Sequence, residues 1–268
     1  LIENINLQFS LGEDFDLVLL KNKLNDIKSS KIKHLFDTQS DVNFHIFLLS
    51  IWSDYNSIIT GNLIPETVSK LKTYFEGITD EVQIEQSGKK ILFIVPLKNN
   101  FIIQYVIFDI FTILKLLSKK FKMIFLMGES KIKNFNEIDS AFDNAILSEE
   151  TLRKIGAQKG ICPFDDINIF KFIEILNYND YSTKFAYETL KSLIEYDLIH
   201  KSYYLDTLRF FLISNCNLTE TSAKLFIHRH TLKNRLDKIE ELCSIDFKNY
   251  YSRIRFSLAI LIYDLFIN

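Results

Sequence analysis

The segment 217–236 constrains the fold of this chain more than any other. Apolar side chains from within it and just beyond recur at i, i+4, i+7 and i+10, namely at Leu232, Leu236, Ile239 and Leu242. This spacing places them on one stripe of a helix. A shorter helix is predicted before it, joined by a tight turn. Two short helices in this order predict a helix-turn-helix motif.

The first helix of the motif has a predicted start and a predicted contact. We expect Thr219 to cap its N-terminus, and Glu220 in the first turn favours the helix dipole. Ala223 is small, so we expect it where the two helices come closest. The turn Phe226–His228 contains no Gly.

Basic and polar side chains lie off the leucine stripe of the second helix. Residues 224–238 hold five basic residues and one acid, a local charge of +4, which suits contacts with DNA phosphates. A polar helix face of this kind suits the major groove. The predicted DNA-binding residues are Thr219, His228, Arg229, His230, Thr231, Lys233, Asn234, Arg235 and Lys238. Among them, Arg235 and Lys238 are expected nearer the phosphates.

Periodicity alone does not separate a DNA-binding helix from a solvated amphipathic helix, but the residue identities favour the first. The segment 205–236 resembles the C-terminal domain of the PucR/CdaR family of bacterial transcription regulators, which respond to purine-catabolic or sugar-diacid signals. The matching positions are Leu205, Thr207, Leu208, Leu212, Asn217, Thr219, Ala223, Leu225, Ile227, His228, Thr231, Leu232, Arg235, Leu236, Ile239 and Leu242. Phe211 replaces the usual tyrosine. His228 and Arg235 match the family pattern, and their alternative role is to hold the turn and the helix packing.

The residues upstream predict an α+β domain. Strands are expected over 43–52, 81–85, 90–96 and 123–127, and helices over 13–36, 65–77, 101–121 and 136–156. Gly88 is expected in a hairpin turn, and Gly128 at the end of the last strand. The order β-α-β-β-α-β is that of a ferredoxin-like sheet.

Nucleotide-cyclase and GGDEF palms share this order, and a degenerate GGDEF-like domain precedes the helix-turn-helix in the PucR/CdaR family. The residues around Gly128, Phe142–Ala145 and Phe164–Ile167 resemble that family's pattern. The resemblance implies an α+β fold, a degenerate GGDEF-like (ferredoxin-like palm) domain followed by an all-α helix-turn-helix domain. The predicted parts are a linker or N-terminal helix over 1–36, the GGDEF-like domain over 37–177, a helical connector over 178–204 and the DNA-binding domain over 205–268.

The hairpin of the middle domain lacks the residues of a cyclase. That chemistry needs two glycines for close approach of the nucleotide and paired carboxylates for Mg²⁺. Here Gly88 is alone and no paired acid follows it. The three cysteines have no zinc-site spacing, so they are expected to be reduced thiols. We therefore expect no enzyme activity, no catalytic residue, no metal and no cofactor.

Charge and composition fit a two-domain DNA-binding protein. The net charge is −2 overall but +3 over residues 201–268, and the hydrophobic content of 47% indicates a chain with packed cores rather than a disordered one. The apolar stretch 101–117 is too short and too interrupted to span a membrane. We expect a cytoplasmic protein with double-stranded DNA as its partner, no membrane partner and an unknown small-molecule effector.

Two helices are candidates for self-association into a homodimer or a higher even-numbered oligomer. The helix over 13–36 either covers the sheet or links to a sensor domain upstream, and the start of the chain at Leu1 favours the linker. The apolar segment 246–268 is the second candidate. The alternatives to a PucR/CdaR-type regulator are a Fis-like nucleoid protein, a partner-binding adaptor and an active nucleotide cyclase.

Overall fold

The computed structural model describes residues 15–28, 36, 42–53, 61–79, 81–98, 103–132, 134–176 and 181–267. Their contacts divide the chain into two units, Leu1–Lys171 and Phe172–Asn268. The ends of the helix predicted over 13–36, and the first residues of the predicted connector, lie outside the described residues.

The first unit has the predicted α+β character. Its elements in chain order are α1 (15–28), β1 (Val42–Trp52), α2 (Leu63–Glu76), β2 (Gln83–Ser87), β3 (Lys90–Lys98), α3 (Ile103–Phe121), β4 (Ile124–Ile132), α4 (Ile138–Lys154), β5 (Lys159–Pro163) and α5 (Ile167–Leu176), which crosses the boundary between the units. The predicted order β-α-β-β-α-β is confirmed, whereas β5 was not predicted.

The five strands form one mixed sheet in the order β2-β3-β1-β4-β5. The pairs β1–β3, β1–β4 and β2–β3 are antiparallel, and β4–β5 is parallel. In the register, Leu48 of β1 lies between Leu92 of β3 and Gly128 of β4.

Gly128 does not end β4, as the sequence had suggested, because the strand continues to Ile132. A side chain at this position would clash with the backbone carbonyl of Ala145 in α4. The glycine is therefore required for the close approach of α4 to the sheet rather than for a turn.

Each face of the sheet has its own core because side chains alternate along the strands. From β1, Phe47, Leu49 and Ile51 pack with α2 and α3 on one face. Phe44, Ile46 and Leu48 pack with α1 and α4 on the other face. Burial of each such side chain contributes about 1.5–3 kcal/mol to the stability of the fold.

The described part of the N-terminal helix, α1, covers the sheet. Leu20 and Leu24 are fully buried in the second core. The helix is also tied to the β2–β3 hairpin, where the Ser87 hydroxyl donates to Asp16 Oδ1 at 2.7 Å and Lys23 Nζ donates to the Gln86 carbonyl at 2.8 Å. Residues 15–28 thus have the first of the two predicted roles through Leu20 and Leu24, whereas Phe15 and Val18 on the same helix remain exposed.

The second unit is all-α, as predicted for the C-terminal domain. Its helices are α6 (Tyr181–His200), α7 (Tyr204–Ile213), α8 (Leu218–Lys224), α9 (Arg229–Cys243) and α10 (Tyr250–Phe266). The apolar residues of α10 that suggested self-association, Phe256, Ile260 and Leu265 among them, are buried. Since α10 packs on α6 and α7, this part of the predicted dimer face belongs to the core of the unit. None of the described helices is long and apolar enough to cross a membrane.

Candidate nucleic-acid interface

Helices α8 and α9 form the predicted helix-turn-helix. On α9, Leu232, Leu236 and Ile239 are buried and Leu242 is half-buried, so the predicted stripe packs inward. Its opposite face is left to solvent, which is the arrangement a recognition helix needs.

The N-cap of α8 is Asn217, not Thr219. The backbone N–H groups of Thr219 and Glu220 donate to the Asn217 side-chain oxygen at 3.0 and 3.2 Å. The helix begins at Leu218, which places Asn217 at the cap position, and asparagine is among the strongest capping residues. Thr219 lies inside the first turn, and its side chain is exposed.

Ala223 is also not the close-contact residue of α8, because it is exposed. The small residues that face inward are Thr221 and Ser222. Their hydroxyls donate to the carbonyls of Asn217 and Thr219 at 2.7 and 3.0 Å. These bonds satisfy both hydroxyls where the helix packs.

The turn after α8 is closed by two backbone hydrogen bonds. The N–H of Ile227 donates to the Ser222 carbonyl at 3.1 Å, and the N–H of Phe226 donates to the Ala223 carbonyl at 3.2 Å. This is the Schellman pattern that ends many helices. Phe226 has the left-handed conformation, with φ +52°, where glycine is usual. The turn therefore closes with phenylalanine at the position where glycine is usual.

The predicted base-contacting residues lie together on the first half of α9. All five side chains are exposed, namely Arg229, His230, Thr231, Lys233 and Asn234. The Asn234 Nδ2 and His230 Nδ1 atoms lie 3.3 Å apart, which places these two residues on the same side of the helix. The structure therefore supplies one continuous polar surface.

Charge divides α9 into two halves. Residues 229–235 hold three basic residues and no acid, whereas residues 237–241 hold one basic residue and three acids. Because DNA phosphates attract the first half and repel the second, the electrostatics favour insertion of the N-terminal half into a groove.

Arg235 and His228 have the structural role that was their alternative. Arg235 Nη1 donates to the Thr207 hydroxyl of α7 at 3.2 Å, in a partly buried position. His228 is the N-cap of α9, and its Nδ1 accepts the N–H of His230 at 3.2 Å. These bonds fix the start of α9 and its packing on α7.

Lys238 forms an ion pair with a neighbouring acidic residue. Its Nζ donates to both carboxylate oxygens of Glu241 at 2.8 Å, and this bond raises the pKa of Lys238. Its positive charge is partly compensated, so Lys238 is less suited to phosphate binding than Lys233. No ion-pair partner of Lys233 occurs among the described residues.

Two carboxylates that the sequence analysis missed, the buried Asp264 and the partly buried Asp197, hold helices of this unit together. Asp264 of α10 pairs with the buried Arg209 of α7. Asp197 of α6 accepts the N–H groups of Tyr204 and Leu205 at 2.9 Å and so caps α7. Asp264 is 55 positions from Arg209, and Asp197 lies in the helix before the one that it caps. No local sequence pattern therefore pointed to either contact.

The hairpin of the first unit offers no comparable site. Gly88 has φ +51°, as expected for the turn, but the carboxylate of Asp16 lies directly against it. Within the described parts of the chain, no cluster of three or more His, Cys, Asp or Glu side chains could hold a metal ion. The three cysteines are free, and burial raises the pKa of Cys243 to about 12, so this thiol is protonated at neutral pH.

Comparison with known proteins identifies the second unit. Residues 204–262, from α7 into α10, match the PucR C-terminal helix-turn-helix domain. The chain is 29% identical over 102 residues to the DNA-binding transcriptional activator AdeR of Bacillus subtilis, 38% of this chain and 24% of that protein.

Two further relatives come from the same organism. The proline-responsive transcriptional activator PutR is 26% identical over 96 residues, 36% of this chain and 23% of PutR. The purine catabolism regulatory protein is 38% identical over 77 residues, 29% of this chain and 14% of that protein. The chain thus spans about a quarter or less of the length of these relatives. Residues 204–262 thus form a PucR-type helix-turn-helix domain, and the relatives that share this part of the chain are transcription regulators.

Proposed function

We propose that this protein binds double-stranded operator DNA in the cytoplasm through α8 and α9 and thereby regulates transcription. The observation that carries the proposal is the exposed, basic N-terminal half of α9, presented by a PucR-type domain. Its buried leucine stripe accounts for the other face, so the exposed residues have no role in folding that would explain their composition.

Two side chains carry the proposed sequence recognition. Arg229 is suited to the two acceptors of guanine, and Asn234 to the donor and acceptor of adenine. Lys233, at the flank of the exposed surface, is suited to a phosphate. His230 and Thr231 complete the contact surface. Thr219, in the first turn of α8, is suited to a contact with the sugar-phosphate backbone of the DNA. Each good base contact is worth roughly 1–3 kcal/mol of discrimination against a wrong base.

We further propose that two copies act together. One helix-turn-helix buries little DNA surface, and two copies about a two-fold axis contact half-sites about 34–36 Å apart. With the inward-facing apolar side chains of α10 buried, those left for self-association in this unit include Leu198 and Ile199 of α6 and Tyr250, Tyr251 and Ile254 of α10. Light scattering of the full chain, with and without DNA, tests this part.

For the first unit we propose a degenerate GGDEF-like domain that transmits or receives a signal without catalysis. The strand order supports the relationship to such palms, and α1 covers the hairpin where a cyclase would hold its nucleotide. The effector is a small molecule that this unit or a further domain senses. Two relatives are named a proline-responsive activator and a purine catabolism regulator, which supports a small metabolite as the signal.

The experiment is a mobility-shift titration of the full chain on its operator and on scrambled DNA over a salt series. The operator is first obtained by selection from random DNA. Arg229→Ala and Asn234→Ala should each weaken operator binding about tenfold or more while leaving scrambled DNA nearly unaffected. Lys233→Ala should weaken both and reduce the salt dependence.

The matched control is Lys191→Ala, which removes an exposed lysine from α6 instead of α9. It should change neither affinity nor salt dependence. Equal affinity for operator and scrambled DNA would favour a nucleoid protein, and no DNA binding at all would favour a partner-binding adaptor.

A further inference from the structure

Phe226, in the turn between α8 and α9, is the most exposed large hydrophobic side chain among the described residues. It is 95% exposed. An aromatic ring in water forgoes the stabilisation that burial would give it. Phe226 is therefore an apolar side chain that the fold places in solvent.

The backbone of Phe226 is also unfavourable for its residue type. Its φ of +52° is in the left-handed region, where a bulky side chain is strained and glycine or asparagine is preferred. The other non-glycine residues with positive φ in the described part of the chain are lysine, asparagine, cysteine and serine. Phe226 is the one aromatic residue in this group.

Folding explains neither property. The two hydrogen bonds that close the turn use backbone atoms, so glycine would form them equally well. The ring itself is almost fully in solvent and contributes little packing. A residue that combines strain with exposure points to a contact outside the folded chain.

The position of Phe226 indicates what that contact is. It lies two residues before His228, the N-cap of α9, and three before Arg229, the first exposed basic residue of the helix. The adjacent first half of α9 is positively charged, which attracts DNA rather than a basic or apolar partner. Aromatic side chains at DNA surfaces contact thymine methyl groups and other apolar atoms.

We infer that Phe226 packs against apolar atoms of bound DNA, either a thymine methyl group or the adjoining deoxyribose. This inference rests on the proposed DNA binding and adds to it an uncharged contact from the turn. Such a contact adds affinity without neutralising a phosphate, so it leaves the salt dependence of binding unchanged.

The test uses Phe226→Gly and Phe226→Asn in the full chain. Both residues fit a positive φ, so both variants should fold, and Phe226→Gly should raise the melting temperature by about 2–4 °C. Affinity for the selected operator should fall about tenfold in both, with an unchanged slope against salt. The matched control is Tyr181→Ala, an exposed aromatic residue of α6, which should leave affinity unchanged.

Operators in which deoxyuridine replaces thymidine at one position at a time distinguish a contact with a thymine methyl group from a contact with a deoxyribose. If Phe226 packs on a methyl group, one replacement weakens the native protein but not Phe226→Gly. If it packs on a sugar, no replacement has this selective effect, although Phe226→Gly still binds more weakly.

Three results would overturn the inference. The first is native operator affinity in both variants while Arg229→Ala loses binding, which leaves the proposed function intact. The second is a lower melting temperature of both Phe226→Gly and Phe226→Asn, since this would show that the ring stabilises the fold. The third is loss of transcription activity at unchanged DNA affinity, which would indicate a protein partner instead. If Arg229→Ala also binds normally, the proposed function itself fails.

Discussion

The guanidinium of Arg209 donates to both carboxylate oxygens of Asp264, at 2.6 and 2.8 Å, and so joins α7 to α10. Burial acts to lower the pKa of Arg209, but the charges of Asp264 and Asp206 raise it above its ordinary value. The pair therefore joins α10 to α7, the helix against which α9 packs.

Asp264→Ala should destabilise the second unit by about 3–5 kcal/mol, because it leaves a buried guanidinium with one acidic partner fewer. Chemical denaturation followed by circular dichroism measures the change. The control is Glu195→Ala, which breaks the exposed pair with Lys191 and should cost well under about 1 kcal/mol. Similar values for both variants would contradict a structural role of the Arg209–Asp264 pair.

Asn217→Ala should cost about 1 kcal/mol, because it removes the side chain that accepts two backbone N–H groups at the start of α8. Thr219→Ala leaves those bonds intact and should change the free energy of unfolding much less. The two variants differ by two positions in the same turn, so they form a matched pair. A larger loss in Thr219→Ala would assign the cap to Thr219 after all.

Glu149 of α4 should make the stability of the first unit depend on pH. Its carboxylate accepts the Trp52 indole N–H at 3.2 Å. Burial raises the pKa of Glu149 above its ordinary value near 4.5, although Lys90 and the bond from Trp52 act to lower it. Between the two pKa values the folded chain holds a proton that the unfolded chain releases, so stability falls as pH rises from about 4.5.

Glu149→Gln cannot ionise and should lose this part of the pH dependence. Compared with the native protein, it should gain stability as pH rises from about 4.5 and show a constant difference below that pH. Denaturation curves of both proteins between about pH 4 and pH 8 measure the difference. A difference that does not change with pH would show that Glu149 has the same pKa in the folded and unfolded chain.

The first unit should form no cyclic dinucleotide from GTP and Mg²⁺ and should hydrolyse none. Gly88 is the one glycine of the hairpin, and Asp16 of α1 lies against it. Chromatography of the reaction mixture measures product, with a heat-inactivated sample as the blank and an active cyclase as the positive control. Product above the blank would contradict a non-catalytic domain, whereas nucleotide binding without turnover is compatible with it.

Local patterns predicted much of this fold, and long-range contacts account for what they missed. The stripe of α9 was visible because a helix buries residues at a fixed spacing. The strand β5, Lys159–Pro163, has only five residues and no alternating pattern. Arg209 and Asp264 are 55 positions apart, so nothing in the sequence indicates that they meet.

At the candidate nucleic-acid interface, too, the local pattern predicted some features and missed others. The exposed residues of α9 were predicted from their position off the stripe. The exposure of Phe226 was not, because an apolar residue between two helices is ordinarily expected inside. Only the left-handed turn directs its side chain into solvent.

Selection of double-stranded DNA from a random library by the full chain tests the central claim most directly. We predict enrichment of one motif in two inverted copies. The centres of the two copies should be separated by one helical turn of DNA, about 34–36 Å, or by a multiple of it. With Arg229→Ala or Asn234→Ala, the preference should relax at one position of each copy while the rest of the motif persists. A selected pool without any common motif, or one that is identical for the native protein and both variants, would contradict sequence recognition by α9.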